Sequence, residues 1–265
     1  MSTFSQRIAP TLLALVAAMG LSSVPAMADN GKTPPGNPCG DGPGVGKGNP
    51  CGGNNGNSGA QGNAGNKSGP GTVDPTFEEI EVPAEEARGV FISQIGATNR
   101  ADVDQGETNS YARVSQNGAE NIVELAQGDT GTHYARIAQE GDRNELSARQ
   151  DGEGQTVLMF AQEGDGNDAN LFQRDDGDNY SALAIAQTGN NNSLVMVQDG
   201  SDNQARLVQD GNSNTMTATQ LDAGNRLEWT QDGSNLSSLD IRQEGNQTTY
   251  IYQTSNGGAA FAPGN

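Results

Sequence analysis

The sequence predicts an all-β protein: a β-solenoid of seven to eight stacked strand-turn-strand repeats, preceded by a disordered, Gly-rich N-terminal segment. Three observations in residues 88–253 predict this fold. Glutamine returns at a nearly constant interval, apolar and polar side chains alternate before each glutamine, and successive units fall into two alternating types. Units this small cannot enclose a core alone, so they must stack on one another.

The glutamines stand mostly 11 or 12 residues apart. They are Gln94, Gln105, Gln116, Gln127, Gln139, Gln150, Gln162, Gln173, Gln187, Gln198, Gln209, Gln220, Gln231, Gln243 and Gln253. The residue two places before the glutamine is apolar in all fifteen units, and the residue four places before it is apolar in fourteen, with Thr249 the exception. This period of two indicates a strand with one buried face, which ends in the glutamine. Regularly recurring Gly, Asn and Asp argue against a helix.

A turn follows each predicted strand. In one of the two unit types, glycine stands two residues after the glutamine, at Gly96, Gly118, Gly141, Gly164, Gly189, Gly211 and Gly233. Glycine there can supply the positive φ that a tight reversal requires. Short strands joined by such turns fit a meander, a propeller or a solenoid.

The residue six places before the glutamine separates these architectures. In alternate units it is almost uniform, namely Asn99, Asn121, Asn144, Asn167, Asn192 and Asn214, with Ser237 in the last. In the other units it is a varied polar set that includes His133. The true repeat is therefore 22 to 25 residues long and holds two strands. Stacked coils would place like residues about 4.8 Å apart, and the buried glutamine and asparagine amides would form ladders along the stack.

The flanking segments differ from the repeats in composition. Residues 1–28 read as a signal peptide, with Arg7, an apolar run over 8–21, and a small-x-small site ending at Ala28. Residues 29–72 are rich in Gly, Asn and Pro, and we expect them to be disordered. Residues 73–87 are interpreted as a solvated acidic linker rather than a binding tail, and 254–265 as a disordered C-terminal tail.

Composition limits the function. The chain has 33 acidic and 14 basic residues and a net charge of −19, which argues against nucleic acid as a partner. No stretch after the signal is apolar enough to predict membrane insertion. Cys39 and Cys51 suit one disulfide within the N-terminal arm, with a redox loop or an intermolecular crosslink as alternatives. We expect no cofactor, no metal and no catalytic residue, and His133 is interpreted as a member of the polar column.

These motifs resemble a known family. The pattern Ser110-x5-Gln116-x-Gly118-x2-Asn121-x5-Gln127 is similar to the curlin repeat of bacterial curli fibres. Its Gln-x-Gly-x2-Asn core recurs at 94–99, 116–121, 139–144, 162–167, 187–192 and 209–214. The seventh repeat departs from the pattern because Leu236 occupies the asparagine position.

The resemblance implies a secreted structural subunit that assembles into amyloid fibres for adhesion and biofilm matrix. It implies export through the periplasm, a periplasmic chaperone, and a curli-type outer-membrane secretion pore that residues 29–72 would engage. The expected partners are further copies of the chain and other curlin subunits, in a fibre at the cell surface. Major subunit and nucleator or auxiliary subunit both fit the sequence.

Polymerisation is also suggested by the ends of the repeat region. The first predicted strand contains Val90, Phe91 and Ile92, and neither end resembles a full cap. The alternatives are a monomeric secreted β-solenoid adhesin, an ice-binding solenoid, a calcium-binding repeat protein with Asp/Gly turns, and an enzyme on a β-helix scaffold. The enzyme is disfavoured because the acidic residues are spread through the turns rather than clustered.

Overall fold

A computed structural model describes residues 76–83, 88–106, 109–255 and 258–263. The predicted signal peptide and the segment 29–72, with Cys39 and Cys51, lie outside the described residues. The described part contains sixteen β-strands and no helix. In chain order, β1 to β8 are Gly89–Ile95, Arg100–Gln105, Tyr111–Asn117, Ile122–Gln127, Thr132–Glu140, Glu145–Asp151, Gln155–Glu163 and Asp168–Arg174. Strands β9 to β16 are Tyr180–Thr188, Ser193–Asp199, Gln204–Asp210, Thr215–Leu221, Arg226–Asp232, Ile241–Glu244, Thr248–Thr254 and Gly258–Pro263.

The strands form two sheets. The first sheet has the order β1-β3-β5-β7-β9-β11-β13-β15-β16, and the second has the order β14-β12-β10-β8-β6-β4-β2. All neighbours are parallel except β15 and β16. Because the chain alternates between the sheets, each strand-turn-strand unit forms one coil that stacks on the next. The predicted all-β solenoid is thus confirmed.

Register is set by the repeat itself. Gln94 pairs with Gln116 across β1 and β3, and Gln198 pairs with Gln220 across β10 and β12. The apolar residues that precede the glutamines face each other between the two sheets. Residues such as Leu183, Leu194 and Trp229 are fully buried there, in one continuous core that runs from coil to coil.

The C-terminal end differs from the predicted disordered tail. Residues 258–263 form β16, which pairs antiparallel with β15 and covers its edge. β16 begins only four positions after the last residue of β15, so the two strands are close in sequence as well as paired. In the second sheet the last strand, β14, has only four residues. The shortening follows the irregular seventh repeat, in which Leu236 replaces asparagine.

The segment 76–83, which we call the strap, also differs from the predicted solvated linker. Ile80 within it is only 1% exposed and packs on the outer face of the first sheet. Ile80 and Val82 are separated by one glutamate, so one side of an extended chain can bury both while the carboxylate of Glu81 remains outside.

Candidate functional site

The most regular feature of the solenoid is a pair of glutamine ladders. In the first sheet, each Nε2 donates to the Oε1 of the next coil, through seven successive bonds of 2.6–3.0 Å. This ladder contains Gln94, Gln116, Gln139, Gln162, Gln187, Gln209, Gln231 and Gln253. In the second sheet, six bonds of 2.6–3.2 Å join Gln105, Gln127, Gln150, Gln173, Gln198, Gln220 and Gln243.

The same glutamines tie the two sheets together. Gln162 Nε2 donates its second hydrogen bond to the Glu145 carbonyl oxygen, 3.1 Å away, at the start of a strand in the opposite sheet. Gln173 of the second sheet does the same towards Val157 of the first. Each interior amide therefore satisfies both donor hydrogens while nearly fully buried.

The asparagines bond mainly to backbone. Asn144 Nδ2 donates to the Gly164 carbonyl oxygen at 2.7 Å, and Asn144 Oδ1 accepts from the Asn167 backbone N–H at 3.1 Å. Asn99, Asn121, Asn167, Asn192 and Asn214 make the equivalent pair of bonds to the following coil. Their role is to fasten one turn to the next, which requires a short amide at this place.

The turn glycines stack in the same column. A Cβ added at Gly96, Gly118, Gly141, Gly164, Gly189 or Gly211 would collide with the carbonyl group of the next glycine in the series. At Gly233 the atoms in the way belong to Ser255. All seven glycines have positive φ. The turns are therefore packed backbone against backbone, at a distance that no side chain permits.

His133 is fully buried in the varied polar column. Its Nε2 lies 2.7 Å from the Gly128 carbonyl oxygen, which accepts hydrogen bonds only, so Nε2 carries the proton. Its Nδ1 then accepts from the Thr156 hydroxyl at 2.8 Å. Both nitrogens of the neutral imidazole are bonded to protein groups, which makes His133 a structural link between coils.

Acid is expected to weaken the fold through His133. Burial lowers its pKa below the ordinary value, against the opposing effects of the Gly128 carbonyl and the Asp151 and Asp129 carboxylates. The stabilisation by the neutral ring is present above the unfolded-state pKa of about 6.5 and is lost as the pH falls through it. Between pH 7.5 and 5, we expect the free energy of unfolding to fall less for His133→Ser than for the wild type. Denaturant titration followed by Trp229 fluorescence measures both values.

The buried acids set the background for that comparison. Burial raises the pKa of Asp168, Asp175 and Glu228, so these groups favour the folded state as the pH falls. They are present in both proteins, and only the difference between the two curves reports on His133. Parallel curves for the wild type and the variant would contradict the prediction.

Asp175 is a structural group that the sequence pattern did not single out. It is fully buried in the longer turn after β8, where Oδ2 accepts from the Ser181 hydroxyl at 2.6 Å and Oδ1 accepts from the Gly177 N–H at 2.8 Å. The extra residues around 175–178 were visible as a departure from the repeat. The inward direction of this carboxylate follows from the path of the turn, which the spacing alone does not fix.

The described residues supply little for catalysis or metal binding. Among them, no three or more His, Cys, Asp or Glu side chains lie together so that they could hold a metal ion. Within the same part of the chain, no helix is long and apolar enough to cross a membrane. The contacts of the described residues are mainly hydrogen bonds and apolar packing that repeat along the solenoid axis.

The same pattern of hydrogen bonds and apolar side chains extends to the N-terminal end of the stack. In β1, Val90 and Ile92 belong to the inner face, but they are 40% and 47% exposed because no described coil precedes them. Gln94 uses its Nε2 on Gln116, and among the described residues no donor reaches its Oε1. This open end, formed by β1 and β2, presents a strand edge, an apolar surface and a ladder acceptor together.

Comparison with known proteins identifies the repeat. Residues 189–221 match the family model for the curlin associated repeat. This stretch of the chain is a curlin-type repeat. Neither the curated proteins nor the solved structures contain a match to the chain. The matched residues contain the whole of β10, β11 and β12, and the other coils share their register.

The family and the fold agree on a coarse function. Proteins with curlin repeats are structural rather than enzymatic, and a β-solenoid of this kind fits a curli-type structural subunit. Curlin subunits are extracellular fibre components, and the matched repeat supports a secreted or cell-surface location.

Proposed function

We propose that this protein is a secreted subunit that polymerises end to end into extracellular amyloid fibres of the curli type, which serve adhesion and the biofilm matrix. The open N-terminal end is the observation that carries the proposal. A monomeric solenoid is expected to block such an edge with charges, proline or a covering element. The described β1 instead leaves apolar inner-face residues in contact with solvent.

The ladders give the proposed fibre a direction. Within the two ladders each glutamine Nε2 donates towards the coil with the higher residue numbers, so the first coil offers acceptors to a preceding subunit. At the other end, Gln253 Nε2 donates to the Ser237 carbonyl oxygen at 3.0 Å, and its second hydrogen has no acceptor among the described residues. Gln243 Nε2, by contrast, already donates to groups of its own end of the stack, so the first-sheet ladder is the one that suits the next subunit. In the first sheet this joint requires β16 to leave the edge of β15.

Export completes the proposal. We infer that residues 1–28 direct the chain to the periplasm, that a chaperone holds it unfolded there, and that residues 29–72 present it to a curli-type outer-membrane pore. The support is the resemblance of the repeats to curlin and the signal-like composition of the first residues. Assembly with other curlin subunits follows from the same parallel pairing, because any coil with this register offers the same edge.

A charge placed inside the open end is expected to stop fibre growth. Ile92→Lys puts an ammonium group where the joint would bury an aliphatic side chain, whereas in the free subunit the half-exposed lysine can reach solvent. Protein freshly released from denaturant should elongate wild-type seeds at least tenfold more slowly, measured by thioflavin fluorescence and electron microscopy. Trp229 fluorescence should show that the subunit still folds.

Ser93→Lys is the matched control. Ser93 neighbours Ile92 in the same strand but points away from the core, so the same charge should leave elongation within about twofold of the wild type. Equal elongation by the two variants would overturn the proposed joint. A wild-type protein that stays monomeric, with no fibres at any concentration, would overturn the proposed function itself.

A further inference from the structure

The strap docks along the outer face of the first sheet and crosses its strands. Ile80 lies in an apolar cluster with residues from four strands, namely Tyr111, Tyr134, Val157, Met159, Ala161, Ala182 and Ala184. Phe77, at the start of the strap, lies near β13, where the Arg226 guanidinium stacks 6.0 Å from the centroid of its ring. The strap therefore runs along the solenoid axis from the later coils towards the earlier ones.

Directional bonds hold the strap in this position. The Ile80 N–H donates to Gln204 Oε1 at 2.8 Å, and the Ile80 carbonyl accepts from the Tyr180 hydroxyl at 2.9 Å. The Arg206 guanidinium donates to the Glu78 carbonyl oxygen at 2.9 Å and to that of Glu79 at 3.3 Å. Side chains from β9 and β11 thus bind the backbone of the strap, much as a peptide-binding surface binds its ligand.

Without the strap this face would be unusual for the outside of a solenoid. Val157, Met159, Ala161, Ala182 and Ala184 form a flat apolar surface in the middle of the sheet, which the strap and its neighbours keep buried. Small or flexible side chains on such a surface allow two sheets to approach to about 10 Å and interdigitate. An exposed apolar patch of this kind marks an association surface.

We propose that the strap is a built-in shield that prevents two solenoids from packing side by side through this face. The occupant that it excludes is the same face of a second copy. In a polymer the face would recur in every subunit along one side, so even a weak contact per subunit would be multiplied over the fibre length. The bound strap also places the exposed Glu78 on that side, where like charges repel a neighbouring fibre, whereas the Glu79 carboxylate pairs with Arg226 at 3.5 Å. The shield rests on the proposed function, because it acts within a fibre. It deepens that function by making the strap a determinant of fibre width.

The test compares two variants of the full chain. Ile80→Asp introduces a carboxylate at the buried anchor and should release the strap, whereas Thr76→Asp adds the same charge at an exposed position of the same segment. We expect Ile80→Asp fibres to be about twice as wide as wild-type fibres and to bundle, by electron microscopy. Thr76→Asp fibres should keep the wild-type width.

A synthetic peptide of residues 74–84 separates shielding from a folding defect. Added in excess to a chain that lacks 76–83, the peptide should bind the vacant face and restore the narrow width. The proposal is overturned if fibres lacking the strap keep the wild-type width, or if the peptide changes nothing in fibres that are wide.

The inference can fail separately from the proposed function. If the wild type forms no fibres, sedimentation of the soluble protein still decides the matter, because Ile80→Asp should dimerise while Thr76→Asp stays monomeric. A monomeric Ile80→Asp protein with native Trp229 fluorescence would then refute the shield.

Discussion

Gly141→Ala is expected to destabilise the solenoid by about 4 kcal/mol, although it adds a single methyl group. Gly141 has a φ of 111°, a conformation that residues with a Cβ adopt at a cost of about 1–3 kcal/mol. The new methyl group would also lie 2.8 Å from the carbonyl carbon of Gly164 and even closer to its oxygen. That oxygen accepts from Asn144 Nδ2, so moving it strains an asparagine bond as well.

The measurement is the free energy of unfolding of freshly folded subunit, followed by the fluorescence of Trp229, the single tryptophan of the chain. Gly106→Ala is the control. A Cβ at Gly106 would meet only the Gln127 carbonyl oxygen, at an ordinary 3.7 Å. Because the backbone there needs no positive φ, we expect a change of no more than about 1 kcal/mol. Similar losses in the two variants would show that the close stacking of the turns is not what makes glycine necessary.

Gln162→Met is expected to cost about 2–4 kcal/mol, because it keeps the volume of the side chain but removes the amide. Three buried groups would lose their partner: Nε2 of Gln139, Oε1 of Gln187 and the Glu145 carbonyl oxygen. An unsatisfied buried polar group costs about 1–3 kcal/mol, and relaxation of the neighbours recovers part of the sum. The loss should appear in the same fluorescence-monitored denaturation.

The matched control is the same substitution at the end of the same ladder. Gln94→Met removes a single ladder bond, to Gln116, from an exposed position at the open end. We expect a loss of about 1 kcal/mol or less in the free subunit. If the interior and terminal substitutions cost the same, the ladder bonds add nothing beyond the packing of each side chain.

Much of this fold could be predicted because residue spacing in the sequence indicates both the buried face of each strand and the sheet to which the strand belongs. Alternation before each glutamine determines which face of a strand is buried, and the position six residues earlier separates the two sheets. Parallel stacking then aligns like with like, as in the pairing of Gln139 with Gln162. In such a regular repeat, the contacts between coils follow directly from the local sequence pattern.

The strap and β16 could not be predicted in this way because neither belongs to the repeat. The signal for the strap was present in Phe77, Ile80 and Val82, three apolar residues within an acidic run. Its docking site is formed by outward positions that look mixed when they are compared along the chain. Those positions become an apolar surface only after β7 and β9 are placed side by side, so Val157, Met159 and Ala184 meet without any shared sequence motif.

The antiparallel strand β16 has a kinetic consequence. β16 pairs with β15 and so covers the C-terminal edge of the first sheet. The C-terminal edge of the second sheet is β14, which has four residues. In the proposed fibre, an incoming copy would attach at once to the β14 half, whereas the six paired residues of β16 would have to separate from β15 before the other half is complete. Two-step attachment of this kind would give a latency, during which newly arrived molecules could diffuse away from their point of release before they became permanently fixed.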